Sequence, residues 1–160
     1  MQYPLSDETS FYHHPGVFHL ENGARLEDVQ VGYRTWGEPR PEAILICHAL
    51  TGSADADEWW EGLFGPNRSF DPEQDFIVAS NVLGGCYGTT GPTSLRPGTD
   101  RWYGHEFPRV TIRDMVDLQA GLLDHLEVET LGLVIGGSMG GMQALEWAAM
   151  YPDRVGGGVA

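Results

Sequence analysis

Lysine is missing from this sequence: all nine basic residues are arginine, set against 23 acidic ones, and the formal net charge is −14. A phosphate-binding P-loop, which depends on a lysine, is therefore excluded. So negative a balance repels nucleic acid and anionic membranes, and neither is expected as a partner. Two accounts of the imbalance stand side by side. One is a GC-rich genome with an acidic proteome; the other is adaptation to high salt, which screens the self-repulsion of an acidic surface. Cysteine is scarce too. Cys47 and Cys86 are the only two, so no disulfide framework is expected and both read as reduced thiols. No apolar run reaches the roughly 18–20 residues of a membrane span. The opening MQYPLSDETSFYHH lacks the basic start and apolar core of a signal peptide. A cytoplasmic location is the expectation. The six histidines do not pair with cysteine or carboxylate at ligand spacing. His13-His14 reads as a polar N-terminal segment, so neither a metal site nor a bound cofactor is expected.

What is present is a succession of short apolar runs. The stretch 17–37 reads as strands around an Asn22-Gly23 turn, a strong hairpin signal. EAILICHAL (42–50), DFIVASNVLGG (75–85) and ETLGLVIGG (129–137) each suit a strand buried on both faces. RVGGGVA (154–160) reads as the start of another. Between them, Ile112, Met115, Val116, Gln119, Leu122, Leu123 and Leu126 follow helical spacing, with Gln119 the one polar break. Thr111 suits its N-cap, with Asp114 three residues on. A second helix is predicted from about Met139 to Met150, stopping before Pro152. Buried strands alternating with helices give an α/β fold: a mostly parallel sheet with flanking helices, preceded by an N-terminal β-hairpin. The Gly-, Pro- and Thr-rich region 84–110 is too long for a bland connection.

Gly136-Gly137-Ser138-Met139-Gly140 matches G-x-S-x-G. Alone the pentapeptide is common, but here a strand precedes it and a helix follows at once, the setting of a serine nucleophile. Such a turn strains the backbone and forbids bulk two residues to either side. The plainer reading is a glycine-rich turn that lets helix and strand pack closely. Acyl chemistry also needs two amide donors for the oxyanion: the Met139 N–H is one, and the loop after an earlier buried strand usually supplies the other. His48-Ala49-Leu50-Thr51-Gly52 is such a loop. His48 reads as a hydrogen-bonder that shapes it rather than as a base. Arg96, Arg101 and Arg109 offer carboxylate or phosphate recognition, against the more ordinary role of solvated surface arginines. The aromatics Trp59, Trp60, Phe64, Tyr87, Trp102 and Tyr103 are compatible with a deep, walled pocket, although ordinary packing accounts for most of them.

Three stretches together, HALTGSAD (48–55), SNVLGGCYGTTGPTS (80–94) and GGSMGGMQALEWA (136–148), resemble the homoserine O-acetyltransferase family of the α/β-hydrolase superfamily. The likeness runs from about Val17 to the last residue. It implies an α/β-hydrolase fold and transfer of an acetyl group from acetyl-CoA to the side-chain hydroxyl of L-homoserine, in methionine biosynthesis. The family works through an acyl-serine and a Ser, Asp, His triad in that order. Carried over, Ser138 is the nucleophile, and the backbone N–H groups of Leu50 and Met139 form the oxyanion hole. Thr51, Gly85, Cys86, Tyr87, Gly88, Thr89 and Thr90 line the substrate pocket beside Ser138. Acetyl-CoA is then a substrate rather than a resident cofactor, and a homodimer is the family's usual state, although nothing in these residues marks an interface. No histidine follows Ser138, so the chain is expected to be the N-terminal portion of a longer protein, one incomplete domain over 1–160. Its triad Asp and His would lie beyond Ala160, and little or no turnover is expected of the chain alone. Succinyl or serine specificity within the family, a serine ester hydrolase, and an inactive fragment are the alternatives.

Overall fold

The computed structural model describes residues 5–159. Residues 1–4 of the opening segment and Ala160 of the last apolar run lie outside the described residues. Eight strands form: β1 (Ser10–His13), β2 (Phe18–His19), β3 (Arg25–Leu26), β4 (Gln30–Trp36), β5 (Glu42–Cys47), β6 (Ile77–Ser80), β7 (Thr130–Gly136) and β8 (Gly158–Val159). The helices are α1 (Ala56–Trp59), α2 (Ile112–His125) and α3 (Met139–Met150). The main sheet runs β1-β4-β6-β5-β7-β8. Its β6, β5, β7 and β8 are mutually parallel, whereas β4 lies antiparallel to both β1 and β6.

The Asn22-Gly23 turn is present, with Gly23 at φ 84° and the Asn22 side chain accepting from the Ala24 N–H at 2.9 Å. It joins only the two-residue strands β2 and β3. The rest of the predicted hairpin leaves it: Asp28, at φ 50°, redirects the chain, and residues 30–36 enter the main sheet. There Val31 and Tyr33 are buried, as a solvent-facing hairpin would not allow. Strand β1 carries little sequence signal, since only Tyr12 of its four residues is buried.

Strands β5 and β6 show the two-residue alternation of a sheet covered on both faces. Leu45, Cys47 and Val78 face α2, α3 and the small hairpin. Ile44, Ile46, Ile77 and Ala79 face α1 and the aromatic loop with Trp60, Phe64 and Phe70. Helix α2 starts on a full capping box: Thr111 Oγ1 accepts from the Asp114 N–H at 3.2 Å, and Asp114 accepts from the Thr111 N–H at 2.8 Å. Asp114 also accepts from the Glu21 N–H at 2.7 Å, tying the hairpin to the helix start. The polar break at Gln119 is a buried amide relay. Gln119 donates to Gln143 at 2.8 Å, accepts from the Trp147 indole at 2.8 Å, and Gln143 donates at 3.3 Å to the His48 carbonyl. A buried amide costs free energy unless it is bonded, and here each is. Helix α3 therefore docks with its start beside the end of β5.

Candidate active site

Ser138 sits between β7 and α3 at φ 57° and ψ −122°, a conformation that L-residues rarely adopt outside functional turns. The crowding expected two residues to either side is there. A Cβ on Gly136 would lie 2.5 Å from the Cys47 carbonyl oxygen, and one on Gly140 would lie 2.0 Å from it; Gly137 has nothing within 4 Å. The serine itself is exposed. It opens onto a cavity of about 700 Å³ shared with Ala49, Thr51, Asp55, Glu58, Trp59, Trp60 and Tyr87. Met139 is the first residue of α3, so its N–H has no partner within the helix and lies at the positive end of its dipole.

Across the cavity, the Gly52 N–H donates to the Ala49 carbonyl at 2.9 Å. This closes a turn with Leu50 and Thr51 at its centre and leaves the Leu50 N–H unused by the turn itself. His48 is buried behind that turn. Its Nδ1 donates to the Ala49 carbonyl at 2.7 Å and its Nε2 accepts from the Val82 N–H at 3.2 Å, which fixes one neutral tautomer. Both ring nitrogens are occupied, and His48 does not line the Ser138 cavity. Burial lowers its pKa from the usual 6.5, against the raising effect of the Ala49 carbonyl. The unfolded chain then binds the proton more readily, so stability falls as pH drops through 6.5 towards the folded value. His14, also lowered chiefly by burial, adds a second contribution of the same sign. His48→Gln is expected to cost about 1–3 kcal/mol through the Val82 and Ala49 groups it leaves imperfectly paired. It should also flatten the acid side of the stability curve without abolishing it. Denaturant melts between neutral pH and pH 5 check both, and an unchanged acid slope would count against the assignment. Cys47 borders the same cavity, but burial, opposed by a Gln119 hydrogen bond, pushes its thiol up to about 12. It stays protonated and does not compete as a nucleophile.

The glycine-threonine loop divides. Thr51 and Tyr87 line the Ser138 cavity, whereas Cys86, Gly88, Thr89 and Thr90 face a separate cavity of about 550 Å³. Gly85 lines neither, and its N–H donates to the Val82 carbonyl at 3.1 Å. Among the described residues the loop is thus shared between the two cavities. The reason lies in the hydroxyls: Thr89 accepts from the Gly32 N–H at 3.0 Å and donates to the Asn81 carbonyl at 2.7 Å, and Thr90 accepts from the Gln30 N–H at 2.9 Å. They clasp the loop to β4. Of the aromatics, Trp59 and Trp60 join Tyr87 at the serine. Phe64 packs on Trp36 and Phe70, and Trp102 and Tyr103 line the separate cavity.

Arg34 gave no signal as a site residue. It is 4% exposed on β4 and bonds Asp55 at 3.1 Å, Asp57 at 2.6 Å, and Glu8. Its guanidinium lies 4.7 Å from the Trp36 ring centroid. It thus anchors the segment that carries Asp55, Trp59 and Trp60 into the cavity wall.

A strand-serine-helix turn on a mainly parallel sheet has a family counterpart: the family model for the alpha/beta hydrolase fold matches residues 42–160. The chain belongs to the α/β-hydrolase fold family. This α/β-hydrolase chain is 59% identical over 154 residues to a homoserine O-acetyltransferase of Trichormus variabilis, an alignment covering 94% of the chain and 43% of the relative. Among solved structures, esterase E22 superposes with a TM-score of 0.84 at 35% identity, covering 92% of this chain and 45% of that one. Homoserine O-acetyltransferase from Bacillus anthracis superposes at 0.83 and 30% identity, covering 92% and 44%. The likeness read from the three motifs is borne out, and the chain spans less than half the length of the relatives it matches. Among the described residues, no helix of this α/β-hydrolase is long and apolar enough to cross a membrane.

Proposed function

We propose that the protein carrying these residues transfers an acetyl group from acetyl-CoA to the side-chain hydroxyl of L-homoserine. The observation that carries this reading is the strained Ser138 at the head of α3, open to a cavity bordered by the Ala49–Gly52 turn. The identity to homoserine O-acetyltransferases supports the choice of substrates. Ser138 Oγ attacks the thioester carbonyl while its proton is withdrawn. The N–H groups of Leu50 and Met139 hold the developing oxyanion, and the C–S bond breaks as the thiolate leaves with a proton. The homoserine hydroxyl then attacks the acyl-serine, returns a proton to Ser138 and departs as the ester. The step requires a base and a carboxylate that orients it. No histidine lines the Ser138 cavity among the described residues.

The acyl-serine faces water at about 55 M, so transfer demands an acceptor held in place and water kept out. Trp59, Trp60 and Tyr87 supply apolar wall for that purpose. The likeness to esterase E22 favours a second reading, ester hydrolysis. One experiment separates them. The protein as its gene encodes it is incubated with acetyl-CoA and examined by intact mass and peptide mapping, with and without homoserine. The expected result is an acetyl adduct on the Ser138 peptide, absent from Ser138→Ala, which homoserine discharges as O-acetylhomoserine faster than water does. Discharge to acetate at a rate indifferent to homoserine would establish the esterase.

A further inference from the structure

Gln143 is fully buried on α3, one turn beyond Met139, and does not line the Ser138 cavity. Its side chain nevertheless reaches both walls that carry the oxyanion donors. Its Nε2 donates at 3.3 Å to the Met139 carbonyl, in the first turn of α3. It also donates at 3.3 Å to the His48 carbonyl, where β5 passes into the Ala49–Gly52 turn. The reach is short because helix and strand end are in backbone contact: a Cβ on Gly140 would lie 3.2 Å from the His48 carbonyl carbon. The orientation of the amide is dictated from both ends of a buried chain. The Trp147 indole can only donate, so Gln119 meets it with its oxygen, at 2.8 Å. The Gln119 nitrogen is then left to donate to the Gln143 oxygen at 2.8 Å. Gln143 turns its own nitrogen to two carbonyls, which can only accept. Gln119 and Trp147 are buried as well, and burial makes the reversed amide, oxygen against carbonyl, costly.

Two successive peptide groups lead from Gln143 to the Leu50 N–H, and each is clamped by its carbonyl. The first, His48–Ala49, is held by Gln143. The second, Ala49–Leu50, is held by His48 Nδ1 at 2.7 Å and by the Gly52 N–H at 2.9 Å. A peptide group is planar, and among the described residues none is cis. A fixed carbonyl therefore fixes the N–H on the opposite side of the same plane. The Leu50 N–H takes its direction from the Ala49 carbonyl, and its distance from α3 through Gln143. On the other wall the Met139 N–H takes its direction from the helix itself. Two donors stabilise an oxyanion only where they converge on the place at which it forms. The amide of Gln143 is the link between the walls that sets this convergence.

We propose that Gln143 is a positioning residue that sets the separation of the Leu50 and Met139 oxyanion donors, an assignment that rests on the reading of Ser138 as an acylated nucleophile. The test is stopped-flow acylation of the protein as its gene encodes it. The probe is p-nitrophenyl acetate, which acylates a serine without acetyl-CoA. Gln143→Met keeps the length of the side chain but has no donor. Its acylation rate at saturating ester should fall about tenfold or more, since losing one oxyanion donor costs about 100- to 1,000-fold and misplacing one costs less. The half-saturating ester concentration should stay within about twofold, because the cavity wall is untouched. Gln119→Met removes only the donor that orients the Gln143 amide, and should slow the same step about threefold or more. Val128→Ala, a buried truncation at the far end of β7 from Ser138, should lower the melting temperature and acylate at the wild-type rate. A rate within about twofold of the wild type in Gln143→Met, or in Gln119→Met should it alone fold, overturns the proposal. Equal slowing in Val128→Ala at a comparable loss of melting temperature overturns it as well. The Ser138 reading fails on a different result, when the wild type gives no nitrophenolate burst or Ser138→Ala gives the same one.

Discussion

Alanine in place of Gly140 is expected to lower stability by about 4 kcal/mol or to prevent folding, a single methyl group with the effect of a large core deletion. The added Cβ would lie 2.0 Å from the Cys47 carbonyl oxygen, 2.8 Å from its carbon and 3.2 Å from the His48 carbonyl carbon. All three are backbone atoms, at and just beyond the end of β5. A crowded side chain can rotate away, but this backbone is held between β6 and β7 by hydrogen bonds on both edges. Overpacking typically costs about 1–3 kcal/mol when side chains absorb it; here relief requires lifting α3 from the sheet and Ser138 with it. Gly137→Ala, with nothing within 4 Å, should change stability by less than about 1 kcal/mol. Denaturant melts of the pair make the comparison internal. Near-equal midpoints for the two variants would refute the close-packing account of the serine turn.

Arg34→Met should cost about 2–3 kcal/mol, detectable in the same melts. Removing one member of a fully buried ion pair typically costs about 3–5 kcal/mol, because the remaining charge has no partner. Here the guanidinium is buried, while the carboxylates of Asp55, Asp57 and Glu8 are 20%, 33% and 72% exposed. Water can therefore recover part of the loss, which sets the lower figure. Arg34→Lys keeps the charge, but a point charge cannot serve three carboxylates and an indole face at once, so an intermediate loss is expected. The damage should reach the serine cavity, because the tethered segment carries Trp59 and Trp60 into its wall. A shift in their fluorescence, retained in native buffer, would show it. An unchanged spectrum together with an unchanged melt would refute the anchoring role of Arg34.

What could be read from the sequence follows the range of the interaction concerned. The runs ILIC and LVIG, the α2 stripe with its Thr111 cap, and the helix from Met139 to Met150 all depend on neighbours within a few residues, and they form as their spacing predicts. Strand β1 does not show in its own residues, because its strand character comes from pairing with β4 some twenty residues later. Gln119 looked like a flaw in an apolar stripe; its partners lie 24 and 28 residues away. The threonines of the 84–94 loop carry the family resemblance, yet the atoms they bond belong to β4 and Asn81. Residue type alone does not say whether a loop hydroxyl faces a ligand or a neighbouring strand.

The strand order also sets a schedule for synthesis. Strand β5 is central, but its two neighbours, β6 and β7, both follow it in the chain. The ribosome completes β5 at Cys47 and β7 only at Gly136. At roughly 5–20 residues per second, the apolar run Ala43–Cys47 waits several seconds for its second partner. In the interval it is a sticky segment with unpaired edges, of the kind that nascent chains guard with flanking charge and proline. Pro39, Arg40, Pro41 and Glu42 stand immediately before it. The residues that lead into β5 thus act as gatekeepers on the emerging chain before the strand finds its partners.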